Sequence, residues 1–82
     1  MNANTQLNLT ITSTGAKLAS LHPLFPLSKL QSLVDEATSF LAKARVELES
    51  GHALEARKYV AAAFLDAEKA EDLIERERAY LA

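Results

Sequence analysis

The sequence predicts an all-α fold: an antiparallel two-helix hairpin with an extended N-terminal segment, dimerising into a four-helix bundle. Two long segments have apolar residues at alternating spacings of three and four, and a glycine separates them. The chain has 82 residues and no cysteine, so helix packing and association must supply the stability that a small core lacks. We expect residues 1–27 to form an extended arm and proline-bracketed connector, and residues 28–82 to form the helical hairpin.

The first predicted helix begins at Ser28, which has the capping-box spacing with Gln31. Its apolar stripe consists of Leu27, Leu30, Val34, Ala37, Leu41, Ala44 and Leu48. The pattern stops at Ser50 and Gly51, and glycine is the usual residue just past the end of a helix. A connection this short makes the two helices antiparallel neighbours.

The second predicted helix runs from about His52 to near the C-terminus. Its stripe consists of Ala53, Ala56, Val60, Ala63, Ala67, Ala70, Ile74 and Leu81. Because most of these residues are alanine, the two helix axes should approach toward the short end of the usual range of about 8–10 Å.

The pattern of the N-terminal segment predicts a strand rather than a helix. Leu7, Leu9 and Ile11 alternate with polar residues, which is typical of a half-buried strand, and disorder is the alternative. Farther along, Pro23 and Pro26 interrupt an apolar connector. We expect residues 21–27 to fold back as a lid on the helices.

Composition excludes several classes of function. Nine basic and eleven acidic residues give a net charge of −2, so the chain lacks the basic surface of nucleic-acid-binding proteins and the polybasic signal of membrane-binding ones. No apolar run approaches the roughly 18 residues of a membrane span, and the N-terminus lacks the features of a signal peptide. We therefore expect a cytoplasmic protein that binds neither nucleic acid nor membranes.

Catalytic and ligand-binding patterns also fail to emerge. The two glycines form no phosphate-binding loop, and His22 and His52 lie in no metal-ligand spacing. Four acidic residues share one face of the second helix, and we interpret them as a solvated ridge: Glu68, Glu71, Asp72 and Glu75. The sequence thus predicts no enzyme, metal, cofactor or small-molecule substrate.

The turn between the helices resembles a single tetratricopeptide unit. Ala44, Gly51, Ala56, Val60 and Ala63 stand at the small and apolar signature positions of that family. Such repeats need further copies to bury their faces, and the chain has none, so the resemblance implies no function.

A protein-binding surface is predicted on the second helix. Leu54, Ala61, Phe64 and Leu65 lie off the main stripe, and a helix that is apolar all round is normally buried all round. Arg57 and Lys58 would form a basic rim, and Phe64 would be the main anchor. The surface is covered either by the lid within the same chain or by a second subunit or foreign protein.

The leading interpretation is a homodimeric protein-interaction module that regulates or inhibits another protein, a class common among small bacterial and phage-encoded proteins. One alternative is a ribbon-helix-helix-like DNA-binding dimer, in which Asn8, Thr10 and Thr12 of a paired strand enter the major groove. The other alternative is a structural subunit of a larger assembly.

Overall fold

The computed structural model describes residues 3–21 and 28–81, and over these residues the protein is all-helical. Helix α1 spans Ala3–Ala19, α2 spans Ser28–Glu49 and α3 spans Ala53–Leu81. The predicted all-α class is therefore confirmed. The number of helices differs from the prediction, because the described part of the chain contains three helices and the sequence analysis expected two.

Helices α2 and α3 pack along their apolar stripes. The buried residues of this contact are Leu30, Ala37, Leu41, Ala44 and Leu48 from α2, and Ala56, Val60, Ala63, Ala67, Ala70 and Ile74 from α3. Leu30, near the start of α2, clusters with Ala70 and Ile74 near the end of α3, so the two helices run in opposite directions. Four alanines of α3 and two of α2 are completely buried in this contact, and such small residues let the helices approach closely.

The turn between α2 and α3 is built around Gly51, whose φ is +83°. The Gly51 amide donates to the carbonyl of Leu48 at 3.1 Å, and the His52 amide donates to that of Glu47 at 2.8 Å. These two hydrogen bonds form a Schellman motif, which satisfies carbonyls at the end of α2. The Ala56 amide then donates to the carbonyl of His52 at 3.0 Å, so α3 begins directly after the turn.

Helix α1 replaces the predicted strand, which was wrong. Its buried face consists of Leu7, Ile11, Thr14 and Leu18, at helical spacings of four, three and four. Leu9, which the strand prediction placed on the same face as Leu7, is 57% exposed. The ribbon on which the DNA-binding alternative depended is thus part of a helix.

Helix α1 lies in the groove that α2 and α3 form on one side. Its buried apolar residues, Leu7, Ile11 and Leu18, belong to the main hydrophobic cluster, which also includes Leu41 of α2 and Ala63 of α3. Gly15, late in α1, lines a surface depression with Val34, in the first half of α2, while Asn8 lines another with Leu48, near the end of α2. Hence α1 runs antiparallel to α2 and is the third helix of the bundle.

The predicted connector and its lid fall largely outside the described residues, as does the boundary at residue 27. Leu21 is described, and its half-buried side chain packs against both hydrophobic clusters. Leu21 therefore closes one end of the core between the helices.

Candidate functional site

The predicted binding residues lie together on the face of α3 that points away from the core. We call this surface the outer strip and define it as Leu54, Arg57, Lys58, Ala61, Phe64 and Leu65, all of which are exposed. Leu54 is 65% exposed, Leu65 is 56% exposed and Phe64 is 40% exposed. At about 100° per residue, these positions face opposite to Ala56, Ala63 and Ala67, which are completely buried.

Phe64 lies at the edge of the outer strip that adjoins α1. The Lys17 ammonium group lies 5.5 Å from the centroid of the Phe64 ring, which is within the range of a cation–π contact. The same ammonium group forms an ion pair with Glu71 at 2.9 Å. Phe64 is therefore partly shielded by α1, and Leu54 and Leu65 offer more exposed apolar surface than the anchor that the sequence predicted.

The charges along the same face divide by sign. Arg57 and Lys58 lie in its N-terminal half, whereas Glu68, Asp72 and Glu75 follow in its C-terminal half. These five residues are exposed, whereas Glu71 of the predicted acidic ridge is half-buried and points toward Lys17 of α1. From its N-terminal end, the outer face of α3 thus carries Leu54, then the basic pair, then the apolar residues 61–65 and then mainly acidic residues.

Two of these charges have partners within α3. Lys58 pairs with Glu55 at 3.4 Å, and Asp72 pairs with Arg76 at 3.0 Å. Exposed pairs of this kind contribute little to stability. Among the residues that the structure describes, neither Arg57 nor Glu68 forms an ion pair.

A second group of side chains lies where α2 meets α3 on the side opposite α1, and sequence reasoning missed it. The rings of Phe40 and Tyr59 stack with their centroids 6.1 Å apart. The Lys43 ammonium group lies 5.9 Å from each ring centroid. This cluster joins the two helices, since Phe40 and Lys43 come from α2 and Tyr59 comes from α3. The signal in the sequence was Phe40, which lies one position beside the main stripe of α2.

Two carboxyl groups interact on the same side of the α2–α3 contact, those of Glu36 in α2 and Asp66 in α3. Asp66 is only 7% exposed, whereas Glu36 is exposed. A hydrogen bond with Asp66 raises the pKa of the Glu36 carboxyl, and repulsion from the Asp66 charge raises it further. The positive charge of Lys69 acts in the opposite direction.

We expect this pair to make stability depend on pH. The folded protein holds the Glu36 proton more tightly than the unfolded chain does, because its pKa is raised above the ordinary value of 4.5. The resulting stabilisation is complete below that value and is lost as pH rises through the raised pKa. Glu36→Gln keeps a hydrogen-bond donor at every pH, so this variant should unfold at a higher denaturant concentration than the wild type at pH 7.

The comparison with Glu36→Ala isolates the hydrogen bond, since alanine removes both the charge and the donor. Urea unfolding of the three proteins between pH 4 and 8 measures the effect. If the difference in unfolding midpoint between Glu36→Gln and the wild type stayed constant over this range, the raised pKa of Glu36 would not be the cause of the pH dependence.

Across residues 3–21 and 28–81, no three histidine, aspartate or glutamate side chains are close enough together to hold a metal ion. None of the helices in these ranges combines the length and apolar character needed to cross a bilayer. What the outer strip can supply is apolar contact area flanked by opposite charges.

Comparison of the chain with models of protein families, with curated proteins and with solved structures found no match. The resemblance of the turn to a tetratricopeptide unit is therefore not accompanied by a match to that family. The function must be argued from the outer strip and its surroundings.

Proposed function

We propose that the protein is a non-enzymatic interaction module, acting in the cytoplasm, that regulates its target by binding another protein chain through the outer strip. The observation that supports this proposal is the exposure of Leu54 and Leu65 on a face that neither α1 nor α2 covers. Leucine side chains exposed singly are normal on protein surfaces. Here they lie on one helix face together with Ala61 and the exposed edge of Phe64, which together resemble a contact surface.

The charges at the two ends of the face support the same proposal. Interfaces between proteins commonly combine an apolar centre with a polar rim. Arg57 and Lys58 lie between Leu54 and the apolar residues 61–65, and Glu68 follows those residues. A partner that covered Leu54 and Leu65 would also contact these charges, so a partner with charges of opposite sign at the matching positions would be favoured.

Affinity isolation of the tagged protein from its source cells tests the proposal. We expect the variant Leu54→Ser/Leu65→Ser to lose the bound protein, whether it is a foreign chain or an untagged second copy. Both leucines are exposed, so the variant should retain its helical content in circular dichroism.

The matched control is Leu9→Ser/Val46→Ser. These two apolar residues are 57% and 59% exposed and lie on α1 and α2. The control should retain the partner. If both double variants bind like the wild type, or if both lose binding equally, the outer strip is not the binding surface.

A further inference from the structure

The geometry points to a second copy of this chain as the occupant of the outer strip, bound through an antiparallel contact between the two α3 helices about a two-fold axis. This inference rests on the proposed function of the strip and names its partner. It concerns α3 alone and so differs from a bundle of two hairpins, because α1 already occupies one groove of the α2–α3 pair.

The spacing of the residues along the outer face is symmetric. The outermost positions are Leu54, Lys58, Ala61, Leu65, Glu68 and Asp72, at successive spacings of four, three, four, three and four. This series reads the same in both directions about the level of residue 63. An antiparallel copy therefore brings Ala61 opposite the partner's Leu65, and Lys58 opposite the partner's Glu68. Leu54 then lies opposite the partner's Asp72 at each end, so the contact is apolar only at its centre.

The apolar pairs fit the centre of such a contact. Ala61 is small and Leu65 is large, so the Leu65 side chain of each copy can pack over Ala61 of the other. The two-fold axis repeats this pair, which places four apolar side chains around the axis. Helices can approach closely where a small residue faces a large one.

The charges select the antiparallel arrangement. In a parallel pair, Lys58 would lie opposite a second Lys58, and Glu68 opposite a second Glu68. In the antiparallel pair, each Lys58 meets a Glu68. Glu68 has no other ion pair among the described residues, and the Lys58–Glu55 contact of 3.4 Å joins side chains that are 67% and 52% exposed. Lys58 and Glu68 are both exposed, so both partners of the new pair are accessible.

One helix from each copy gives a small interface, at the low end of the range for specific contacts. We therefore expect a dimer that forms at tens of micromolar and weakens as salt screens the Lys58–Glu68 pairs. Sedimentation equilibrium of the full chain at concentrations up to about 100 µM measures it.

A charge exchange tests the pairing itself. Lys58→Glu places two acidic pairs across the axis, and Glu68→Lys places two basic pairs there. Each variant alone should dimerise at least about 10-fold more weakly than the wild type. An equimolar mixture of the two should form a heterodimer of nearly wild-type affinity, because every pair is again of opposite sign. The control Arg45→Glu makes the same change of net charge on exposed α2 surface that faces α1 rather than the outer strip, and it should dimerise normally.

Four results would overturn the inference: a wild-type monomer at about 100 µM, an Arg45→Glu variant as weak as Lys58→Glu, a mixture that fails to associate, or a dimer that survives Leu54→Ser/Leu65→Ser. A monomeric wild type whose strip variant still loses a foreign partner in affinity isolation would remove the second copy and leave the proposed function standing. A dimer that survives Leu54→Ser/Leu65→Ser would place the contact between the copies elsewhere, whereas the proposed function fails only if that variant also retains the foreign protein captured by the wild type.

Discussion

Replacing Ile11 with alanine lowers the free energy of unfolding by about 2–4 kcal/mol, because the truncation leaves a cavity between α1 and the α2–α3 groove. Ile11 is 1% exposed and is the largest fully buried side chain among the described residues. Urea denaturation followed by circular dichroism measures the loss. Leu9→Ala is the matched control on the same helix, since Leu9 is 57% exposed, and it should change the free energy by no more than about 0.5 kcal/mol.

The pair of variants also decides between α1 and the strand or disordered arm that the sequence predicted. A paired strand would bury Leu9 and Ile11 on one face, so both truncations would be costly. A disordered arm would make both nearly neutral. Only a docked helix separates the two residues.

Replacing Ala63 with leucine lowers the free energy of unfolding by about 1–3 kcal/mol, because extra methylene groups at a close contact push the helices apart. Ala63 is 0% exposed and belongs to the cluster that includes residues of all three helices. Thermal and urea unfolding of the variant measure the effect. The control Ala79→Leu makes the same change on the exposed surface of α3 and should be close to neutral.

A neutral Ala63→Leu substitution would mean that the alanine stripe is not the contact between the helices. A loss of stability for Ala79→Leu as large as that for Ala63→Leu would instead point to a general effect of leucine on α3.

The sequence predicted the α2–α3 region well because its pattern is regular. Alternating spacings of three and four identify the buried faces of both helices, and Gly51 marks the turn between them. The positive φ of Gly51 and the Schellman hydrogen bonds give the physical reason for that glycine. Local signals and long-range packing agree in this part of the chain.

Helix α1 was missed because local and long-range signals disagree there. Threonine, asparagine and isoleucine disfavour helix, and the alternation from Leu7 to Ile11 fits a strand. Leu7 and Ile11 are, however, also one helical turn apart. The helical stripe continues to Leu18 through Thr14, which is buried but polar and so does not show as an apolar position in the sequence. The groove between α2 and α3 decides between the two patterns, and no local window contains it.

The residues of the outer strip could be predicted because they are what remains of α3 once its buried stripe is assigned. The shielding of Phe64 by Lys17 could not be predicted, since it depends on the position of α1. The Glu36–Asp66 pair and the stacked Phe40 and Tyr59 rings depend on how α2 and α3 are rotated against each other. Periodicity within one helix holds no information on that rotation.

The composition of α1 couples its folding to its docking. Thr10 and Ser13 direct their hydroxyl groups to backbone carbonyls of their own helix, and such residues give little intrinsic helix stability. A segment of this length and composition forms little helix in isolation, so burial of Leu7, Ile11 and Leu18 supplies the free energy that makes it helical. We therefore expect α1 to unfold when it leaves the groove, so that its release would turn a helix into an unfolded, mostly polar segment.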